Sequence, residues 1–140
     1  MSPNREPASY VPLKCQTDHS VLRSCVKIDD LVACAAERAH SYLAICDLNN
    51  VSGYYDFYVK CRKSGIKPII GAAIDVRDEI AGPGEKKELG HRITLYCKNY
   101  AGLLNLFKII NSINLSEGRT PVSSETIFKY QQGLICAFSN

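Results

Sequence analysis

Apolar residues recur along the chain in two rhythms, and together they predict alternating strands and helices. The run 42–46 is apolar without alternation and too short for a helix, which is typical of a buried parallel strand. A helix is predicted to follow from Gly53, because an apolar residue recurs every three or four positions, at Tyr54, Phe57, Tyr58 and Cys61. Gly65 ends this helix, and a second buried strand begins at Lys67. A strand, a crossover helix and a strand of this length pair in parallel, so the pattern predicts an α/β fold.

The flanking segments repeat these two rhythms. The pattern predicts strands at Tyr10–Cys15, Arg92–Cys97 and Leu134–Phe138, and helices from Ile28 to about His40, from about Tyr100 to Ser112, and from Ser123 or Ser124 through Tyr130. Segment 77–91 is predicted to be an exposed loop or loose hairpin, and 114–122 a loop. The order of elements, with mostly parallel strands, fits an open doubly wound sheet or part of a barrel. We favour an incomplete, distorted (β/α) barrel, because the last strand has nothing after it to cover it.

Helix core faces also follow from this spacing. The third predicted helix is expected to bury Leu103, Leu104, Phe107, Ile110 and Leu106. The first is expected to bury Ile28, Leu31, Val32, Ala35 and Ala36.

Length and composition favour one domain. The chain has 140 residues, of which 46% are hydrophobic, so one core is expected over 10–140 after a disordered leader at 1–9. The formal net charge of +3 permits a nucleic-acid partner without singling one out. Seven cysteines are scattered without a C-x-x-C pair, which indicates reduced thiols. With no secretory or membrane segment, we expect a cytoplasmic protein.

Acidic residues lie after or within three predicted strands, at Asp18, Asp47 and Asp75. With His19 and His91 nearby in the chain, they could form a metal site, since carboxylate and imidazole groups at barrel strand ends suit a hydrolytic metal. The alternative, which we favour, is that these residues form turns and keep the surface soluble. No glycine-rich phosphate loop and no nucleophile motif is present.

Several segments carry a resemblance to a known family. They are YVPLKCQTDHSVL, IDDLVACA, LAICDLNNVSG, FYVKCRKSGIKPIIG, LYCKNYAGLLNL and GLICAFS. Their order and spacing resemble the amino-terminal PHP (polymerase and histidinol phosphatase) domain of the bacterial DNA polymerase III alpha subunit. The resemblance implies a distorted seven-stranded β/α barrel, of which this chain would supply about the first half. It also implies a metal cluster that hydrolyses phosphoesters in active members.

The metal-ligand positions of the family carry unsuitable residues here. The resemblance places its H-x-H motif on Lys14 and Gln16, and the acidic residue of its L-L-D-G turn on Arg23. Its T-D-H motif becomes Cys46-Asp47-Leu48, its G-C-E glutamate falls on Ala73, and a strand histidine falls on Arg92. Of the ligand residues, only Asp47 is retained. Ammonium, guanidinium and aliphatic groups do not bind divalent cations, so we expect no metal, no cofactor and no catalytic residue.

The resemblance implies a metal-free domain with a structural or binding role in DNA replication, and we do not expect this chain alone to be an enzyme. Its expected partners are other regions of a polymerase III alpha subunit or other replication proteins. Two alternatives remain open. One is a weak metal-dependent phosphoesterase or exonuclease that uses Asp18, Asp47 and His91 with a rearranged metal, and the other is a truncated remnant without independent activity.

Two further expectations concern charge. Because the family fold brings its metal-site positions together, we expect Lys14 or Arg92 to form an ion pair with Asp47 in place of the lost metals. A weak, sequence-independent DNA contact is a hypothesis for the basic residues at the second helix and its exit, although an ordinary solvated helix face is the simpler interpretation. These residues are Lys60, Arg62, Lys63 and Lys67.

Overall fold

A computed structural model of the chain describes residues 10–77, 90–115 and 121–138. The predicted leader and most of the loop predicted at 77–91 lie outside these ranges. The helices are α1 (Ile28–Glu37), α2 (Tyr54–Lys63), α3 (Tyr100–Leu115) and α4 (Ser124–Lys129). The strands are β1 (Tyr42–Leu48), β2 (Lys67–Arg77), β3 (His91–Cys97), β4 (Val122–Ser123) and β5 (Leu134–Phe138). Within the described ranges, no helix combines the length and apolar character that crossing a bilayer requires.

The chain divides into two compact units. The first contains the residues up to 47 and 51–70, and the second contains 48–50 and the residues from 71 onward. In the first unit, the apolar faces of α1 and α2 form a core with β1, built from Ile28, Val32, Ala35, Leu43, Ile45, Phe57, Cys61 and Ile66. Gly65 has a φ of 73° and ends α2 as predicted, since glycine adopts this left-handed conformation without strain. Of the face predicted for α1, only Ala36 is exposed.

The strand predicted at Tyr10–Cys15 is not a regular strand. The amides of Ala44 and Cys46 in β1 donate to the carbonyls of Pro12 and Cys15, at 3.1 and 2.7 Å. Donors two residues apart therefore reach acceptors three residues apart, so this segment carries one extra residue. The Cys46 thiol donates to the carbonyl of Leu13 within that interval, at 3.2 Å. Because Pro12 also lacks an amide, the segment follows β1 without forming a ladder.

Antiparallel pairing dominates the second unit. Strand β2 pairs with β3 in antiparallel register from Gly71↔Tyr96 to Val76↔His91, and β3 pairs antiparallel with β5. The short strand β4, which was predicted as loop, pairs in parallel with β2. The sheet order is β1-β2-β3-β5. The prediction of mostly parallel strands is therefore wrong for β3 and β5. The sequence of 77–91 lacks the helical apolar rhythm that the crossover connection between two parallel strands usually carries.

The core face predicted for helix α3 is right for Leu106 and Ile110 and wrong for Leu104. Its buried residues are Gly102, Leu106, Ile109, Ile110 and Ile113, whereas Leu104 is exposed. A close approach of two glycines explains the difference, because a Cβ on Gly102 would collide with the carbonyl of Gly133. The Asn99 side chain caps the helix by accepting from the Gly102 amide at 2.9 Å. Apolar residues surround most of α3, so the glycine contact decides which side faces the sheet.

Alanine at Gly102 should destabilise the protein by about 1–3 kcal/mol, because the new methyl group displaces the backbone at Gly133. At an uncrowded position inside a helix, replacing glycine with alanine would instead raise the free energy of unfolding by roughly 1 kcal/mol. Gly65→Ala is the matched control, since an added Cβ there would meet no atom within 4 Å. Its cost would come only from the positive φ, which strains alanine but not glycine. Urea unfolding measures both variants. A Gly102→Ala protein as stable as wild type would show that the glycine contact does not position α3.

Candidate functional site

The Asp47 side chain lies at the carboxyl end of β1 and is only 2% exposed. Its Oδ1 accepts from the Thr17 amide and from Ser20 Oγ, both at 2.7 Å. Its Oδ2 accepts from Thr17 Oγ1, also at 2.7 Å. Thr17 and Ser20 are themselves buried. Each carboxylate oxygen is therefore satisfied by a neutral donor from one turn of the first unit.

The turn that supplies these donors is closed by its own hydrogen bonds. The Ser20 amide donates to the Thr17 carbonyl at 2.9 Å, and the Asp18 amide donates to the Val26 carbonyl at 2.9 Å. The Ser24 hydroxyl donates to the Gln16 carbonyl at 2.9 Å. These bonds hold the hydroxyl groups of Thr17 and Ser20 toward β1. Asp47 thus joins an irregular segment to the core by hydrogen bonds between charged and neutral groups, which are stronger than neutral pairs.

The resemblance assigns metal ligands to other positions of the first unit as well. The side chains at these positions do not form a set of metal ligands. Lys14 and Arg23 are exposed, and Gln16 is half-buried. Within the described ranges, no group of three His, Cys, Asp or Glu side chains is arranged to hold a metal ion. Asp47 already accepts three hydrogen bonds, and Lys14, Gln16 and Arg23 bring no carboxylate or imidazole group to it, so this set does not fit the ligands that a divalent metal prefers.

In the second unit, Arg92 lies opposite Asp75 across the β2–β3 pair, and its Nε donates to Asp75 Oδ1 at 2.8 Å. Asn49 completes this arrangement, since its Nδ2 donates to Asp75 Oδ2 at 3.1 Å and its Oδ1 accepts from the Asp75 amide at 3.0 Å. The Asn49 amide donates to the Ala73 carbonyl at 2.8 Å. Ala73 is buried, and Leu48 is half-buried.

The predicted ion pair of Asp47 is wrong in the part of the chain that the structure describes. Asp47 takes its hydrogen bonds from Thr17 and Ser20, and Arg92 pairs with Asp75. Lys14 is exposed to solvent. The prediction failed because hydroxyl groups, rather than a protein-borne cation, stabilise the buried carboxylate.

The residues of the alternative phosphoesterase site differ in their exposure to solvent. Asp18 and His91 are exposed, whereas Asp47 is buried. Asp75, which was also considered as a ligand, is held by Arg92 and Asn49. None of these observations favours a hydrolytic centre.

The basic residues proposed for DNA contact differ in their surroundings. Lys60 lies between Asp29 of α1 and Asp56 of α2, with 2.7 Å from Nζ to each carboxylate. Hydrogen bonds to Asp29 and Asp56 raise the pKa of Lys60, so its charge is already paired. Arg62 and Lys63 are exposed, and the Lys67 ammonium lies 5.2 Å from the ring centre of Tyr42.

Comparison with known proteins decides the family. The sequence matches the PHP domain family over residues 12–139. The chain belongs to the PHP domain family. Curated relatives within it include the DNA polymerase III subunit alpha of Chlamydia pneumoniae, 34% identical over 91% of this chain and 11% of that protein. The subunit alpha of Neisseria meningitidis serogroup A is 35% identical over 91% of this chain and 11% of that protein. The chain therefore spans about a tenth of the length of these relatives.

Two solved structures share the fold of this PHP domain. An amidohydrolase from Chromobacterium violaceum gives a TM-score of 0.54 at 17% identity, over 74% of this chain and 32% of that one. A structure described as a candidate metal-dependent phosphoesterase from Bifidobacterium adolescentis gives 0.55 at 14% identity, over 77% of this chain and 34% of that one. The PHP resemblance and the α/β class inferred from the sequence are confirmed, whereas the incomplete (β/α) barrel stays a prediction.

Sequence reasoning identified Asp47 but missed Thr17, Ser20 and Asn49. The pattern Thr-x-x-Ser at 17–20 was a usable signal, because two hydroxyl residues three apart in a polar turn can point to one acceptor. Nothing in the sequence indicated that this acceptor lies 27 to 30 residues away.

Replacing Asp47 with asparagine should lower the free energy of unfolding by about 3 kcal/mol, because it weakens bonds to charge that are each worth roughly 1.5–3 kcal/mol. Thr17→Val and Ser20→Ala should each cost less, and each should couple to Asp47→Asn in a double-mutant cycle. The control Lys14→Met should stay within about 0.5 kcal/mol of wild type. Additive effects of Thr17→Val and Asp47→Asn would show that their hydrogen bond does not stabilise the turn.

Alkaline pH should destabilise the protein through two thiols. Burial raises the pKa of Cys61 and of Cys97 from 9.0 to about 11. Since the folded protein holds these protons more tightly, their stabilisation is complete below pH 9 and is lost as the pH rises to about 11. Denaturant unfolding across this range measures the decline. The double variant Cys61→Ala/Cys97→Ala should show a smaller decline, and Cys25→Ser, which changes an exposed thiol, should keep the wild-type decline. An unchanged decline in the double variant would assign the effect to other groups.

Proposed function

We propose that this chain is a metal-free PHP domain with a structural or binding role in a replication protein of the polymerase III alpha type. The observation that carries the proposal is the hydrogen bonding of Asp47, the one family ligand residue retained here. Neutral donors from the turn at 17–20 bind the carboxylate, so the strand end is stabilised without a cation. The family relationship to DNA polymerase III subunit alpha supplies the replication context.

The remaining ligand positions support the same role. Ala73 offers only a methyl group, and Arg92 directs its guanidinium to Asp75. Lys14 and Arg23 point to solvent. These side chains supply cations or hydrocarbon where a metal site needs carboxylate and imidazole. Phosphoester hydrolysis would need a water activated by a metal, and the described residues offer no three ligands for it.

A partner for this domain is part of the proposal. Edge strand β5 exposes Ile135 and Phe138, the latter by 83%, and exposed apolar side chains on an edge strand are typical of a surface that another segment covers. Other regions of a polymerase III alpha-type protein are the proposed partners, because the relatives contain such regions. The polymerase activity of those relatives is not proposed for this chain.

Thermal unfolding with and without Mn²⁺ tests the absence of a metal, because carboxylate and imidazole ligands suit manganese whereas scattered thiols do not. A cation that binds the folded protein, and whose free concentration is 100 times its dissociation constant, would add about 2.7 kcal/mol to the free energy of unfolding. We expect no stabilisation of the wild-type protein. The matched variant is Asp47→Asn, which removes the retained ligand charge. Stabilisation by Mn²⁺ that is present in wild type and lost in Asp47→Asn would contradict the proposal.

A further inference from the structure

Two lysines meet at one aromatic ring in the second unit. The ammonium groups of Lys108, from α3, and of Lys129, from the end of α4, each lie 5.4 Å from the ring centre of Tyr130. The Tyr130 amide donates to the carbonyls of Thr126 and Ile127, both at 3.2 Å, which fixes the backbone of Tyr130 at the end of α4. We call Lys108 and Lys129 the lysine pair. Cation–π contact orders both ammonium groups without neutralising them.

The charge of the lysine pair is not compensated within the described part of the second unit. Its described residues include five lysines and arginines but only two acidic residues, Asp75 and Glu125. Asp75 is bound by Arg92, and no ion pair between Glu125 and either lysine of the pair occurs among the described residues. Lys60 on α2 is the contrast, since two carboxylates contact it directly. The lysine pair is thus better suited than Lys60 to attract an anion.

We propose that the lysine pair contacts the phosphodiester backbone of single-stranded nucleic acid. Each ammonium group lies 5.4 Å from the ring centre of Tyr130. The two groups are therefore near enough to each other to contact neighbouring phosphates of one strand. Phe128 immediately precedes Lys129 and is 67% exposed, which offers an aromatic face for a base. An acidic polypeptide could bind the two ammonium groups, but it has no bases to stack on Phe128, so nucleic acid fits this surface better. DNA is the expected strand, and this choice alone rests on the proposed replication role.

Fluorescence anisotropy of a labelled oligothymidylate, measured over a salt series, tests the contact. The double variant Lys108→Gln/Lys129→Gln should bind at least about tenfold more weakly, and the slope of log affinity against log salt should fall by roughly 1.4, or 0.7 for each of two phosphates. The matched control is Arg62→Gln/Lys63→Gln, which removes the same charge from α2. Lys108→Arg/Lys129→Arg keeps the charge and should retain binding.

Several outcomes would overturn the inference. Equal losses in the two glutamine variants would assign binding to net charge, and a larger loss in the α2 variant would assign it to that helix. Absence of wild-type binding at low salt would exclude the contact while leaving the metal-free role untouched, since that role is measured by Mn²⁺ stabilisation. Polyglutamate binding as tight as oligothymidylate binding, with Phe128→Ala affecting neither, would indicate an acidic protein partner instead. Far-UV circular dichroism and thermal unfolding of each variant establish that the fold is retained.

Discussion

The buried carboxylate of Asp47 is the constraint on which the first unit depends. A carboxylate that is 2% exposed must be hydrogen-bonded, because burying an unpaired charge is far more costly than burying a polar group. Thr17 and Ser20 meet this requirement, and in doing so they fix a segment that has no regular ladder of its own. The one buried charge therefore links the irregular segment to the end of β1.

Elsewhere, carboxylates are also satisfied by protein groups. Asp75 is held by Arg92 and Asn49 in the second unit, and Asp29 and Asp56 share Lys60 in the first. This pairing changes which surfaces can attract an anion. The charge of Lys60 on α2 is largely compensated, whereas the lysine pair at Tyr130 is ordered by a ring that leaves its charge intact. A count of basic residues along the sequence does not separate these cases, because compensation depends on which helices are neighbours.

Sequence signals predicted the structure correctly where a residue acts on its neighbours along the chain. The end of α2 at Gly65, the N-cap of α4 at Ser123 and the boundaries of β5 follow from such signals and are confirmed. The predictions failed where distant contacts decide. The close approach of Gly102 to Gly133 decides which face of α3 is buried. The segment Tyr10–Cys15 forms no regular ladder because it carries one extra residue opposite β1. Asp47 was identified from its place at a strand end, but its donors lie 27 to 30 residues away and only tertiary structure brings them together.

The central claim is that hydroxyl and amide donors have taken the place of a metal at Asp47. A crystal structure of the protein soaked in Mn²⁺, with anomalous diffraction recorded for manganese, tests it most directly. The account predicts Thr17 Oγ1 and Ser20 Oγ at hydrogen-bond distance from the carboxylate, as found here at 2.7 Å, and no anomalous peak beside it. An anomalous peak at about 2.0–2.2 Å from an Asp47 oxygen, the range for a carboxylate bound to a divalent metal, would contradict it.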